Sequence, residues 1–393
     1  MNSPSAPEPP AVTEPLPQTA QDLGHVFRWL HTGTEAYDEI VSVIDGARVS
    51  VVVEFYTIEP GAPAHDIQSA LLRARSRGLP VRVLIDAFGS SALPHSWAQP
   101  LEAAGAEVRR FNPRPLLRLS FRDHRKLVVC DARVAFIGGF NVTEAFVGDG
   151  VERGWRDLGL RIEGPLAVDL ESGFDALWAS SGLDRKSVRP LARFLRSQRI
   201  PPDAATAMVS APGTADRLLK RSLQADLRSA ARVDVAAAYF LPSRSLRRGL
   251  RQVARRGSVR VLLSGNSDVP VARRASEHMY RGLLRDGVAL WEYRPQVMHA
   301  KALVVDDVVY VGSANLDTRS LQLNFELMVR LPSPLLAAQV RARIDHDCAL
   351  ATRVPEDWAR HRTWWQRLTQ RWAHFLLARV DPFVARAQFR HLR

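Results

Sequence analysis

HRKLVVCDARVAFIGG, residues 124–139, returns altered but in order as HAKALVVDDVVYVGS, residues 299–313. Each copy opens with His-x-Lys, runs through Val and Leu to an Asp (His124, Lys126, Asp131; His299, Lys301, Asp306), turns, and closes a second apolar run at Gly. Two such runs around a short turn predict two paired strands. Residues two apart in a strand share a face, so the His and Lys of one copy point the same way. Asp is a good turn residue, which leaves Asp131 and Asp306 two readings: part of the chemistry, or part of the turn.

The surroundings repeat as well. Apolar residues at helical spacing between Glu35 and Ile44 (Tyr37, Ile40, Val41, Ile44) precede a strand from Val49 to Ile58, a helix from about Ala64 to Arg77, a stop at Gly78 and a strand beginning VRVL at Val81. In the second half a helix near Ala215 to Ala231 precedes a strand from Val233, a helix ending at Arg256, a stop at Gly257 and a second VRVL at Val259. One further strand leads to each motif, AEVRRFN from Ala106 and VALWEYR from Val288. The VRVL strings lie 178 residues apart, Tyr56 and Tyr239 183, and the motif histidines 175. Nearly one offset for three landmarks describes two copies of one α/β fold, with a period too long for a solenoid. The expected domains are 25–205 and 206–350, between a disordered tail at 1–24, rich in Pro, Ala and Glu, and a basic aromatic tail at 351–393.

With 393 residues, 46% of them hydrophobic, the chain can bury more than one core. A net charge of +13 calls for a polyanion, whether anionic membrane, nucleic acid or phosphorylated substrate. Arginine outnumbers lysine 50 to 4, and two of the four lysines (Lys126, Lys186, Lys220, Lys301) fall inside the repeated motif, which argues against a solvated-surface role. Two cysteines, Cys130 and Cys348, are too few for a disulfide scaffold and lack metal-ligand spacing, so a reducing compartment with no metal or cofactor is expected. No signal peptide or run of 18 apolar residues is present, so the expectation is a cytoplasmic protein held peripherally at the inner membrane face.

Metal-free cleavage of a phosphodiester needs a nucleophile, a proton donor for the leaving alkoxide and cations around the non-bridging oxygens. Two His and two Lys supply that set if the copies face each other. Asn141 and Asn315, 17 and 16 residues after their histidines, can add amide donors. A nucleophilic His also needs an acceptor on its other nitrogen, and Asp157 and Glu326, each in a strand-like segment 33 and 27 residues downstream of a motif His, are the candidates.

The paired motifs, followed by GGFN and GSAN, resemble the phospholipase D superfamily over roughly residues 25–350. FRDHRKLVVCDARVAFIGGFN, WRDLGLRIEGP, YFLP and HAKALVVDD leading to GSANLDTRSLQLNFE are similar to bacterial cardiolipin synthases. The resemblance implies two homologous α/β/α repeats with one active site at their interface. It implies a ping-pong reaction in which one phosphatidylglycerol forms a phosphatidyl-histidine and a second takes the phosphatidyl group. His124 would be the nucleophile and His299 the acid/base, an assignment open to reversal. Lys126, Lys301, Asn141 and Asn315 would hold the phosphate, with Gly139 and Ser313 beside them, and family members need no metal. Gly139 stands where many superfamily members have Ser. Asp306 and Gly312 are one residue closer than Asp131 and Gly138, which bears on the placement of Ser313 and Asn315.

From Val354 onward eight Arg face three acidic residues, interleaved with Trp and Phe. Trp365, Leu368, Trp372, Phe375 and Leu376 would share one helical face flanked by Arg367 and Arg371. Such a helix suits an anionic membrane surface or packs on the core. Hydrolysis, transfer to another alcohol, and nuclease activity remain alternative readings. The aromatic tail argues against nucleic acid as partner, and the sequence says nothing of oligomeric state.

Overall fold

The Val- and Leu-rich runs assemble into two eight-stranded sheets in the computed structural model, which describes residues 18–112, 121–181, 188–212 and 216–380. The first sheet holds β1 (Thr19–Asp22), β2 (His25–Leu30), β3 (Val51–Phe55), β4 (Val81–Asp86), β5 (Glu107–Phe111), β6 (Lys126–Cys130), β7 (Val134–Gly138) and β8 (Gly159–Glu163), in the order β1-β2-β8-β7-β6-β3-β4-β5. The second holds β9 (Thr206–Ser210), β10 (Arg232–Ala237), β11 (Ser258–Ser264), β12 (Val288–Tyr293), β13 (Lys301–Val305), β14 (Val308–Gly312), β15 (Glu326–Pro332) and β16 (Ala351–Arg353), in the order β16-β12-β11-β10-β13-β14-β15-β9. Read from opposite ends, seven strands correspond one to one, with β6 matching β13 and β3 matching β10. The eighth strand lies on opposite edges: β1 extends β2, while β16 extends β12.

Alternation along the strands sorts side chains into layers. Val51, Val53 and Val128 face the helices Gly33–Gly46 and Ala62–Ser76, whereas Leu127, Val129, Ala135 and Ile137 face inward. The inward core joins both sheets, since it also contains Ala302, Val304, Val309 and Val311. It is completed by the helices Leu166–Trp178 and Pro334–Ala349, through Leu170, Phe174, Leu336 and Val340 among others. The two halves therefore share a continuous apolar interior, and burial on that scale is what holds them together.

Two expected boundaries change. Residues 19–22, assigned to a disordered tail ending at 24, form β1, because the turn at Leu23–Gly24 folds them antiparallel onto β2 and buries Ala20; residues 1–17 lie outside the described residues. The second repeat runs past 350, since Trp291 pairs with Arg353 in β16.

The shorter second motif loses its residue in the turn alone. Cys130 pairs with Val134 around three residues, Val305 with Val308 around two. Beyond the turn the registers agree: Ile137 sits opposite Leu127 and Val311 opposite Ala302, each next to its motif lysine. Asp131 and Asp306 adopt φ of 59° and 43°, a left-handed conformation that Asp tolerates better than most residues.

Candidate active site

Two parallel bridges cross between the halves, Asp123 with Phe325 and Arg156 with Met298. At the first, His124 N donates to Phe325 O at 3.0 Å; at the second, His299 N donates to Arg156 O at 2.6 Å. The residue after each acceptor is a buried carboxylate, so each half delivers one to the other half's histidine. Glu326 Oε2 lies 3.2 Å from His124 Nδ1, and Asp157 Oδ2 lies 2.8 Å from His299 Nδ1. Register makes these carboxylates equivalent: Gly159 pairs with Gly138 and Met328 with Gly312, and Asp157 and Glu326 each stand two residues earlier. A carboxylate on Nδ1 fixes that nitrogen as the N–H donor and leaves Nε2 for chemistry.

Lys126 Nζ donates to His124 O at 2.7 Å, and its charge lies 5.1 Å from the Tyr56 ring centroid. Lys301 Nζ lies 2.8 Å from His299 Nδ1 and donates to His299 O. Burial depresses both ammonium groups, Lys126 to about 7 and Lys301 to about 8, against the attraction of Glu326 and Asp157. His124 is held well below its ordinary value by burial and then by Lys126 and Lys301. His299 is also lowered, by burial and Lys301, while Asp157 opposes the shift. Burial pushes Glu326 up to about 7, against Lys126 and the Ser313 and Asn324 side chains.

Gly139 and Ser313 lie against the orienting carboxylates. A Cβ on Gly139 would stand 2.2 Å from Asp157 Oδ1, so the missing side chain makes room for that carboxylate. In the other half Ser313 Oγ donates to Glu326 Oε2 and accepts from Leu327 N at 3.0 Å. Asn141 and Asn315 are buried with Oδ1 atoms that have no hydrogen-bond partner among the described residues. The structure does not bring Asp131 and Asp306 to this cluster. Each lies at the far end of its motif strand, roughly 17 Å from the lysine at about 3.3 Å per residue. There Asp131 accepts from the backbone N–H groups of Arg48, Val49 and Ser50, and Asp306 from those of Ala231 and Arg232.

Several neighbours escaped the sequence reading. Tyr56, noticed as a repeat landmark, packs its ring 4.8 Å from His124, and Phe146 and Trp155 stand 5.3 and 5.7 Å from His299. Arg125, Glu54 and Asp123 form a buried ionic cluster beside His124, in which Arg125 Nε donates to Glu54 Oε1 at 2.7 Å. Register places Ala300, Ala236 and Met298 at the equivalent positions beside His299. Among the described residues no group of three or more His, Cys, Asp or Glu side chains is placed to hold a metal ion.

A family model described as "Cardiolipin synthase, PLD-like domain" matches residues 40–178 and 223–348, one segment for each motif. The chain belongs to that family. Cardiolipin synthase A of Pseudomonas putida strain GB-1 is 33% identical over 359 residues, covering 88% of this chain and 73% of that one. Cardiolipin synthase 1 of Bacillus anthracis is 31% identical over 342 residues, covering 83% and 67%. Among solved structures, phosphatidylserine synthase of Haemophilus influenzae Rd KW20 superposes with a TM-score of 0.72 at 16% identity, over 94% of this chain and 97% of that one, a likeness of fold. As a member of this family the chain is a phosphatidyltransferase of the cardiolipin synthase type, acting on phospholipid.

Proposed function

We propose that the enzyme joins two phosphatidylglycerols into cardiolipin and glycerol through a phosphatidyl-histidine. The observation that carries this reading is the crossed pairing of two histidines with two buried carboxylates, which gives one site both a nucleophile and an acid. His124 Nε2 attacks phosphorus as the bond to the glycerol oxygen breaks, and His299 gives that oxygen its proton. A hydroxyl of the second phosphatidylglycerol then loses its proton to His299 and attacks phosphorus, and the bond to His124 breaks. Lys126, Lys301, Asn141 and Asn315 hold the non-bridging oxygens. Their charge is worth most here, where water is excluded.

The unequal electrostatics support this division of labour. A nucleophile must be neutral, and burial with the charges of Lys126 and Lys301 lowers His124. An acid must survive as imidazolium, and His299 has the shorter contact to a carboxylate. An arriving phosphate anion favours the charged form of both lysines, so it tightens its own site.

The reading extends to peripheral attachment at the inner face of the membrane through the aromatic tail. No helix among the described residues is long and apolar enough to cross a bilayer. The helix Trp364–Phe375 settles onto the body with one side and leaves the other open, so core packing and membrane contact occur together.

Incubation with phosphatidylglycerol vesicles followed by lipid mass spectrometry tests the assignment. Tetra-acyl product with released glycerol is expected. Phosphatidic acid alone would make the enzyme a hydrolase, and DNA cleavage without lipid turnover would make it a nuclease.

A further inference from the structure

The helix Trp364–Phe375 begins at a capping box between Thr363 and Gln366 and is fastened to the helix Pro270–Arg285. Gln370 Nε2 donates to Glu277 Oε2 at 2.9 Å, Ala373 is buried against Ala275 and Leu241, and the His374 ring lies 4.7 Å from His278. The opposite side is bare. Trp364, Trp365, Trp372 and Phe375 are 62, 60, 58 and 49% exposed. Four large aromatics in water on a helix held in place by its other side form an unpartnered surface.

Arginine-lined clefts surround that helix. One of about 440 Å³ is lined by Arg281, Arg360 and Arg367, and one of about 310 Å³ by Arg281, Arg362, Arg367 and Arg371. Among the described residues Arg281, Arg360 and Arg371 form no ion pair with a carboxylate, and Arg362 Nε is buried without an acceptor. The guanidinium of Arg362 is held 4.3 Å over the Trp358 ring, so it is fixed in place rather than waving in solvent. Of the carboxylates nearby, Glu277 accepts from Gln370 and Asp357 pairs with His361, while Glu356 lines the first cleft among its four arginines.

One guanidinium held in place and several exposed ones without carboxylate partners, gathered in two clefts, suit planar or tetrahedral anions. Tryptophans projecting from the open side of the same helix want the headgroup region of a bilayer. Both demands are met by one occupant, an anionic phospholipid still in its membrane. We infer that these clefts bind the phosphates of anionic phospholipid headgroups in the bilayer that the tryptophans enter, forming a second lipid site apart from the two histidines. The inference rests on the membrane reading above and adds what that surface selects. The site also has an address: Leu376–Val380 packs against the short helix Thr318–Gln322, three residues beyond Asn315. The segment that follows the helix thus ties this surface to the chain next to Asn315.

The test is co-sedimentation of the full chain with vesicles of phosphatidylcholine alone and of phosphatidylcholine mixed with phosphatidylglycerol, at low and high salt. The wild type should prefer the anionic vesicles and lose that preference in salt. Replacing Arg281, Arg367 and Arg371 together by Ala should weaken binding to anionic vesicles roughly 100-fold, at about 1 kcal/mol per arginine and tenfold per 1.4 kcal/mol. The same positions changed to Lys should recover most of it, which separates lost charge from lost folding. Trp365→Ala with Trp372→Ala should weaken binding to both kinds of vesicle. Unchanged anionic binding by the triple Ala variant, or equal wild-type binding to both vesicles, overturns the inference. So does displacement by inorganic phosphate at the concentration of lipid phosphate, which would make the clefts a free-anion site, or tighter binding to duplex DNA. Failed lipid turnover by the wild type with intact selective vesicle binding would count against the transfer reading alone.

Discussion

The two halves of the active site share a backbone plan and differ in their charges. On the His124 side the carboxylate is a glutamate pushed up to about 7, hydrogen bonded to Ser313, with a buried Arg125, Glu54 and Asp123 cluster behind it. On the His299 side the carboxylate is an aspartate at 2.8 Å, Gly139 gives it room, and the equivalent background is Ala and Met. One motif repeated twice thus holds two histidines in different electrostatic states. The repeated backbone gives the two histidines equivalent positions, and the side chains around them differ.

The hardest way to break that comparison is to remove each histidine. His124→Ala and His299→Ala should both abolish transfer from phosphatidylglycerol. A substrate whose leaving group is p-nitrophenolate needs no acid, so it should restore release of p-nitrophenol to His299→Ala, in one burst that leaves a phosphatidyl-enzyme, and not to His124→Ala. General acid catalysis is worth about 10² to 10⁴, and the rescue should be of that size. Rescue of His124→Ala instead would exchange the two roles.

Removing the carboxylates should hurt unequally. Asp157→Asn should lower kcat by about 10⁴, the effect of losing the orienting Asp of a catalytic triad. Glu326→Gln should cost about tenfold, because Glu326 is already half protonated near pH 7. Its titration also bears on stability. The folded value of about 7 lies above the ordinary 4.5, so between those values the folded chain binds a proton that the unfolded chain has released. Stability is therefore lost as pH rises through 7, and the melting temperature of Glu326→Gln relative to wild type should climb from pH 5 to pH 8. A flat difference would mean that Glu326 stays ionised throughout.

A subtler test swaps the support of each carboxylate. Gly139→Ala drives a methyl group to 2.2 Å from Asp157 Oδ1 and should cost about 100-fold in kcat. Ser313→Ala removes one hydrogen bond from Glu326 and should cost less than tenfold. Equal losses would show that the two supports are interchangeable. The smallest catalytic effect belongs to Asp131→Asn and Asp306→Asn. Each loosens a turn roughly 17 Å away and should lower stability by about 1 to 2 kcal/mol with kcat within a factor of three.

Much of this was legible in the sequence. Offsets, strand alternation and the His-Lys-Gly-Asn order are local properties, and they yielded the repeat and the sheet elements; of the twelve residues proposed for the site, eight lie together, Asn141 and Asn315 are buried, and Asp131 and Asp306 lie elsewhere. Two were misplaced for a physical reason: an Asp in a conserved-looking motif and an Asp that anchors a turn read alike until the backbone N–H groups of Arg48–Ser50 are seen around it. The exchange of carboxylates between halves was out of reach, because it depends on how two sheets face one another. The helices Leu166–Trp178 and Pro334–Ala349 went unread in the sequence, and their buried sides join the core shared by both sheets.

The crossed bridges have a consequence for how the enzyme comes into being. His124 is synthesised some 200 residues before Glu326, so a growing chain carries a motif histidine whose orienting carboxylate has yet to be made. His299 meets an Asp157 already made, whereas His124 waits until the chain reaches Glu326, so the crossed site is complete only once most of the second half has been synthesised.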